Sequence, residues 1–262
     1  MSNENEWVSG QITLSIGGAK IEMEMTVPAN PVKPMRMLPI FQAMASSFVD
    51  TSINEIEAQG EKISCKAGCG ACCRQVVPLA EIEAYQVAEL VENMDEPRRS
   101  QIKQKFEDAC EHFHEKNWFE RMDKYADLSL KERQTVVLEY FYDGIACPFL
   151  EDESCSIHTV RPLACREYLV TSPPENCAAP TAETIRSVKM IIEPSKILRE
   201  TARSENLQKL NFVPLIRALE WARDFPENMP LKKGTQWVTD FVDKLTSGEM
   251  ETETETAQTI DK

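Results

Sequence analysis

The stretch Cys65-Lys-Ala-Gly-Cys69-Gly-Ala-Cys72-Cys73-Arg74 places four thiols in one short, glycine-punctuated run. A second run follows: Cys147-Pro-Phe-Leu150, then Cys155-Ser-Ile-His158-Thr-Val-Arg161-Pro162-Leu-Ala-Cys165-Arg166, then Cys177. Together they hold eight of the nine cysteines. Cysteines buried as small apolar residues scatter over periodic faces, whereas these gather where periodicity is lost. The chain is therefore to be read as one folded around sulfur.

Thiolates on a tight loop can converge on one ion, with sulfur–zinc bonds of about 2.3 Å. Gly68 and Gly70 let the backbone turn there and leave N–H groups free to face sulfur. Cys72 and Cys73 are adjacent, so their side chains diverge. Two metal centres, or one polynuclear centre, would accommodate both. Eight thiolates suffice for two zinc sites of four, or for iron–sulfur ligation. Such centres carry net negative charge, and Lys66, Arg74, Arg161 and Arg166 flank the cysteines. Arg161 and Arg166 are expected to donate to sulfur or to neighbouring carbonyls. His158 could replace one thiolate, but is expected to support the ligands rather than to join them. Cys110, between His112 and the Phe106, Ala109 and Phe113 face, reads as a buried apolar residue.

Outward from the cysteines the pattern is helical. Residues 39–59 recur at helical spacing, with Gly60 as a stop. Helices are predicted over 78–93, 97–118 and 129–143, the first opening at Pro78. Three more are predicted in 181–247, broken near Pro194, Ser204 and Pro226–Pro230. At the start, Ile12, Leu14 and Ile16 alternate, as do Ile21, Met23, Met25 and Val27, about a Gly17-Gly18 turn. That hairpin pairs Leu14 with Ile21 and Ile12 with Met23. The predicted fold is mainly α with a small N-terminal β-hairpin, an irregular cysteine-rich metal-binding core being wrapped by helices. The divisions are a hairpin and Pro-rich connector (1–38), a cysteine-cluster domain (39–180), a helical region (181–248) and a solvated acidic tail (249–262). Glu81 and Glu83 read as solvent-exposed acids of a helix. Trp221 and Phe225 read as core.

The 262 residues carry 29 Lys and Arg against 43 Asp and Glu, a net charge of −14. That balance repels phosphate backbones, so no nucleic-acid partner is expected. No window approaches the ~20 apolar residues of a membrane span. Met1-Ser-Asn-Glu-Asn-Glu-Trp7 lacks the basic and apolar regions of a secretory signal, which predicts a cytoplasmic protein with reduced thiols. No phosphate loop, G-x-S-x-G elbow or H-E-x-x-H motif occurs. Cys65-x3-Cys69-x2-Cys72 also has the spacing of radical S-adenosylmethionine enzymes. A helix precedes it here, Ala71 stands where an aromatic residue is usual, no Gly-Gly-Glu follows, and no strand–helix alternation ensues.

In order and spacing the three blocks, from Cys65 to Cys73, 147–150 and 155–166, resemble the YkgJ-type cysteine-cluster family of zinc- or iron-chelating domains, over roughly residues 60–180. The resemblance implies that Cys65, Cys69, Cys72, Cys73, Cys147, Cys155, Cys165 and Cys177 bind zinc or an iron–sulfur centre. Where this chain has His158 the family commonly has Tyr, which weakens His158 as an essential ligand. A similar signature in flagellin lysine N-methylases implies an alternative, an iron–sulfur-dependent enzyme such as an S-adenosylmethionine-dependent protein lysine methyltransferase. The expected role is a cytoplasmic metal-binding protein, structural, redox or metal-handling, with metal ions as partners. A surface left open over the cluster by helices 181–247 would suit a protein partner.

Overall fold

Alternating apolar residues make the first element. In the computed structural model, which describes residues 6–16, 18–66, 68–181, 183–207 and 210–255, strands β1 (Trp7–Ile16) and β2 (Ala19–Pro28) pair antiparallel. Leu14 faces Ile21 and Ile12 faces Met23, the register the alternation predicts. Gly18 turns the chain at φ +86°, and Gly17 lies outside the described residues. Leu14, Ile16, Ile21 and Val27 are buried, so the hairpin contributes one apolar face to a core built by helices.

The helices are α1 (Leu38–Ala58), α2 (Glu81–Glu92), α3 (Arg98–Glu115), α4 (Trp118–Met122), α5 (Leu130–Tyr142), α6 (Leu163–Glu167), α7 (Pro194–Thr201), α8 (Ala218–Asp224) and α9 (Gly234–Glu255). The protein is mainly α. Two-residue ladders stitch distant segments, Pro31–Val32 with Lys232–Lys233 and Pro78–Leu79 with Val213–Pro214, and Leu150–Glu151 pairs with Ser154–Cys155 as a local hairpin.

Three apolar clusters surround the cysteine loops. The first joins the hairpin, α1, α7 and α9, with Phe41 stacked on Phe241 at 5.0 Å and Trp237 Nε1 donating to Val32 O at 3.1 Å. The second packs α2, α3 and α8 under the second cysteine run, where Phe106 meets Phe149 edge-on at 5.5 Å. Cys147 and Cys155 lie against it. The third fills the space between α3, α4 and α5, with Phe113 stacked on Tyr140 at 4.3 Å. Each fully buried aromatic side chain contributes about 1.5–3 kcal/mol. These clusters fix the helices, and the helices fix where the thiol-bearing loops meet.

Some expectations need correction. Pro78 opens no helix: with Leu79 it pairs as a strand, because the Glu83 carboxylate takes the Ala80 N–H (2.8 Å) and starts α2 at Glu81. Glu81 and Glu83 are 0% and 1% exposed, not solvated, for reasons given below. Residues 183–193 are not helical. They run beside the second cysteine segment, with Thr171 N donating to Arg186 O and Val188 N to Leu169 O. Pro194 then begins α7 rather than breaking a helix, in keeping with its fixed φ and missing N–H. Helix α9 continues to Glu255, into the stretch expected as tail, while 256–262 lie outside the described residues.

Candidate metal centre

Glycine geometry shapes the first cysteine loop. Gly60 ends α1 at φ +85°, and Gly68 turns the loop at φ +79°. Cys72 and Cys73 then sit on a 3-10 turn, Ala71–Arg74. A side chain at Gly70 would meet Leu150 Cδ1 at 2.6 Å, Glu153 Oε2 at 2.8 Å and Glu153 O at 3.0 Å. The absence of one lets the first loop lie directly on the Leu150–Cys155 hairpin, whose turn residues Asp152 and Glu153 have φ of +48° and +57°.

Further bonds lock the two runs together. Cys147 N donates to Cys73 O at 2.7 Å, and Ser64 N to Val170 O at 2.9 Å. Arg74 holds Glu153 through two bonds, 2.7 and 3.1 Å, and also donates to Gly70 O. The 71–74 turn packs on the 3-10 turn Pro174–Ala178, which carries Cys177. As a result Cys65, Cys69, Cys72, Cys73, Cys147, Cys155, Cys165 and Cys177 all line one cavity of about 830 Å³. All nine cysteines are free thiols. Cys110 lies elsewhere, its Sγ donating to Ile216 O at 3.0 Å.

Electrostatics divides these thiols. Burial raises Cys65, Cys155, Cys165 and Cys177 above the ordinary thiol range and pushes Cys147 up to about 12. Backbone hydrogen bonds at Val170, Phe149 and Ile157 act oppositely on Cys65, Cys147 and Cys155. Cys72 is brought down to about 7, chiefly by the hydrogen bond from Cys73, with Arg161 assisting. Cys73, as donor to that bond, is raised. The site thus has soft donors, backbone groups already aimed at sulfur and Arg161 as an adjacent cation, a donor chemistry that fits zinc or iron–sulfur. Among the described residues, no three His, Cys, Asp or Glu side chains meet at a single metal-holding point.

The three residues expected to support the ligands are placed as follows. Arg166 donates to the carbonyls of Arg161 (3.0 Å) and Thr159 (2.7 Å) and to Ser46 Oγ (3.2 Å). It therefore shapes the 158–161 turn and touches no sulfur through these bonds. Arg161 lines the cavity and favours the thiolate form of Cys65, Cys72 and Cys155. Its Nη1 lies 2.6 Å from His158 Nε2, so that nitrogen accepts from the guanidinium. Arg161 and burial together hold His158 below its ordinary pKa.

With these loops in place, the comparison with known families is decisive. Residues 64–189 match the family model CxxCxxCC, described as "putative zinc- or iron-chelating domain". The match covers 126 of the chain's 262 residues. No curated protein and no solved structure matches the chain. The family description supports metal chelation and a metal cofactor for the segment, and among the described residues no helix is long and apolar enough to cross a membrane.

The matched segment is braced by carboxylates that the sequence read as solvent-exposed, Glu81 and Glu83, and by Glu167, which it did not single out. Glu83 Oε1 accepts Leu163 N at 2.8 Å while Oε2 takes Ala80 N, so one carboxylate joins α2 to α6, which carries Cys165. Glu167, at the other end of α6, accepts Ser195 N (2.5 Å) and Ser195 Oγ (2.7 Å) at the start of α7. Burial pushes Glu167 up to about 7 and also raises Glu83. Glu81 accepts from Tyr85 Oη and from Ser204 N and Oγ, each at 2.8 or 2.9 Å. The available signal was Glu83 three residues after Ala80, at the position where a glutamate reaches back to a helix start.

Proposed function

We propose that the eight cysteines bind zinc or an iron–sulfur centre as two groups of four. Cys65, Cys69, Cys72 and Cys177 form one group; Cys73, Cys147, Cys155 and Cys165 form the other. The supporting observation is which thiols act electrostatically on which. Cys177 is raised by Cys65, Cys69 and Cys72. Cys73 is raised by Cys147 and Cys155 as well as by Cys72, and Cys165 by Cys147, Cys72 and Cys155. Cys72 stands at the junction and acts on both sets. Cys72 and Cys73 share a hydrogen bond in the structure, so this partition requires metal binding to part them, one thiol to each group.

A bound metal would supply a cross-link between loops, and an iron–sulfur centre would add electron transfer. Four thiolates per centre leave no ligand position open, which favours a structural, redox or metal-handling role over a catalytic one. His158 stays outside the ligands because its Nε2 faces Arg161. Nine reduced cysteines suit the cytoplasm, where we place the protein. A net charge of −14 offers no general attraction to nucleic acid.

The test is anaerobic purification with metal analysis and an absorption spectrum. A colourless protein with about two zinc ions, one per four thiolates, is one supporting result. A brown protein with thiolate-to-iron absorption is the other. Protein that takes up neither metal after reconstitution overturns the proposal.

A further inference from the structure

The cysteines occupy only part of their cavity. The remainder includes Arg161, Lys189, Ser195, Lys196 and Arg199 alongside the carboxylates of Glu153, Glu167 and Glu193, and the total volume lies within the range of small-molecule pockets, roughly 300–1,000 Å³. Arg199 is the unusual group. It is 7% exposed, and its Nε is buried with no hydrogen-bond partner. Buried guanidinium groups are expensive to leave unbonded, because each unpaired donor forfeits its hydration.

Glu167, Glu83, Glu193 and Glu200 all lie near enough to act on Arg199 electrostatically. The oxygens of Glu83 are committed to Leu163 N and Ala80 N and those of Glu167 to Ser195, while Glu193 pairs with Lys196. Arg199 thus has compensating charge nearby with donor capacity left over. Arg161 repeats the pattern, with Nη1 on His158 and a buried Nε that has no partner. Two guanidinium groups with spare donors therefore border one cavity, and the exposed Lys189 adds a third cation.

We propose that the Arg199 end of this cavity binds a small oxyanion, the carboxylate or phosphate group of a soluble molecule, beside the cysteine cluster. Planar guanidinium donors match both groups bidentately, and the half-enclosed wall strengthens the contact. The proposal shares a cavity with the metal assignment but does not depend on it.

Calorimetric titration at fixed ionic strength tests it, with inorganic phosphate and malonate as probes and chloride as the control, on metal-loaded and metal-free protein. Saturable one-to-one binding of either probe is expected, and the preferred probe separates the two sources. Arg199→Met should weaken binding tenfold or more, Lys189→Met severalfold, and Arg199→Lys less than Arg199→Met. Lys189 is exposed, so Lys189→Met reads the site even where Arg199→Met disturbs folding. Absence of saturable binding to either probe overturns the proposal, as does wild-type affinity in both Lys189→Met and Arg199→Lys. Metal content measured on the same samples reports separately on chelation.

Discussion

Single residues decide whether the two cysteine runs can share a centre. Cys72 and Cys165 are assigned to different four-thiol groups, so Cys72→Ser and Cys165→Ser should each lower bound metal and lower the melting temperature, because metal binding is coupled to folding. Cys110→Ser should leave metal content unchanged, since its thiol bonds Ile216 O away from the cavity. Metal analysis and thermal melts of the three variants check this, and full occupancy in both of the first two would remove them from the ligands. Gly70 tests the same junction sterically. A methyl group there meets Leu150 and Glu153 at 2.6–3.0 Å, so Gly70→Ala should cost about 1–3 kcal/mol by overpacking and reduce metal uptake. A denaturant midpoint and metal titration would show it. The cysteine spacing was readable from the sequence; the role of Gly70 was not, because its contact partner lies some eighty residues away.

At the scale of elements, α6 is five residues long and cannot hold itself in place by its own hydrogen bonds. Two buried carboxylates fix it: Glu83 at its first residue and Glu167 from its last. Glu83→Ala leaves the N–H groups of Ala80 and Leu163 without their acceptor, and should cost about 2–4 kcal/mol, near 1–3 per buried unsatisfied group with partial relaxation. Glu83→Gln should retain part of this, since one carbonyl oxygen remains. Chemical denaturation of both variants gives the order. Periodicity located α1, α3 and α5 and the hairpin register, because those elements form from contacts close in sequence. It misread Glu81 and Glu83, since a glutamate on a helix shows its polarity and hides the distant N–H it will meet. It also missed the path of 185–193, whose partners are Thr171 N, which donates to Arg186 O, and Leu169 O, which accepts from Val188 N.

For the molecule as a whole, burial keeps most of the cavity thiols protonated. Cys147 is pushed up to about 12 and Cys165 well above the ordinary thiol range. Metal must displace those protons, so lowering the pH adds a competitor and raising it removes one. Affinity should therefore increase with pH, by more than about a hundredfold from pH 6.5 to 8.5, since more than one proton leaves per centre. Competition with a chromophoric chelator at the two pH values measures it. Equal affinities would mean that the ligands are already deprotonated before metal arrives. The helical class and the cysteine framework were legible because both are written in spacing. The common cavity was not, because it depends on how three apolar clusters bring loops together.

The assigned groups interleave along the chain, and this sets an order of events during synthesis. The first run leaves the ribosome as four neighbouring sulfurs, yet the proposed partition sends Cys72 and Cys73 to different centres and each set needs a member from the later run. One set closes only when Cys165 has been made and the other only after Cys177. A nascent chain can therefore capture an ion early only in a transient arrangement, and the correct partition of sulfurs must await nearly the whole domain.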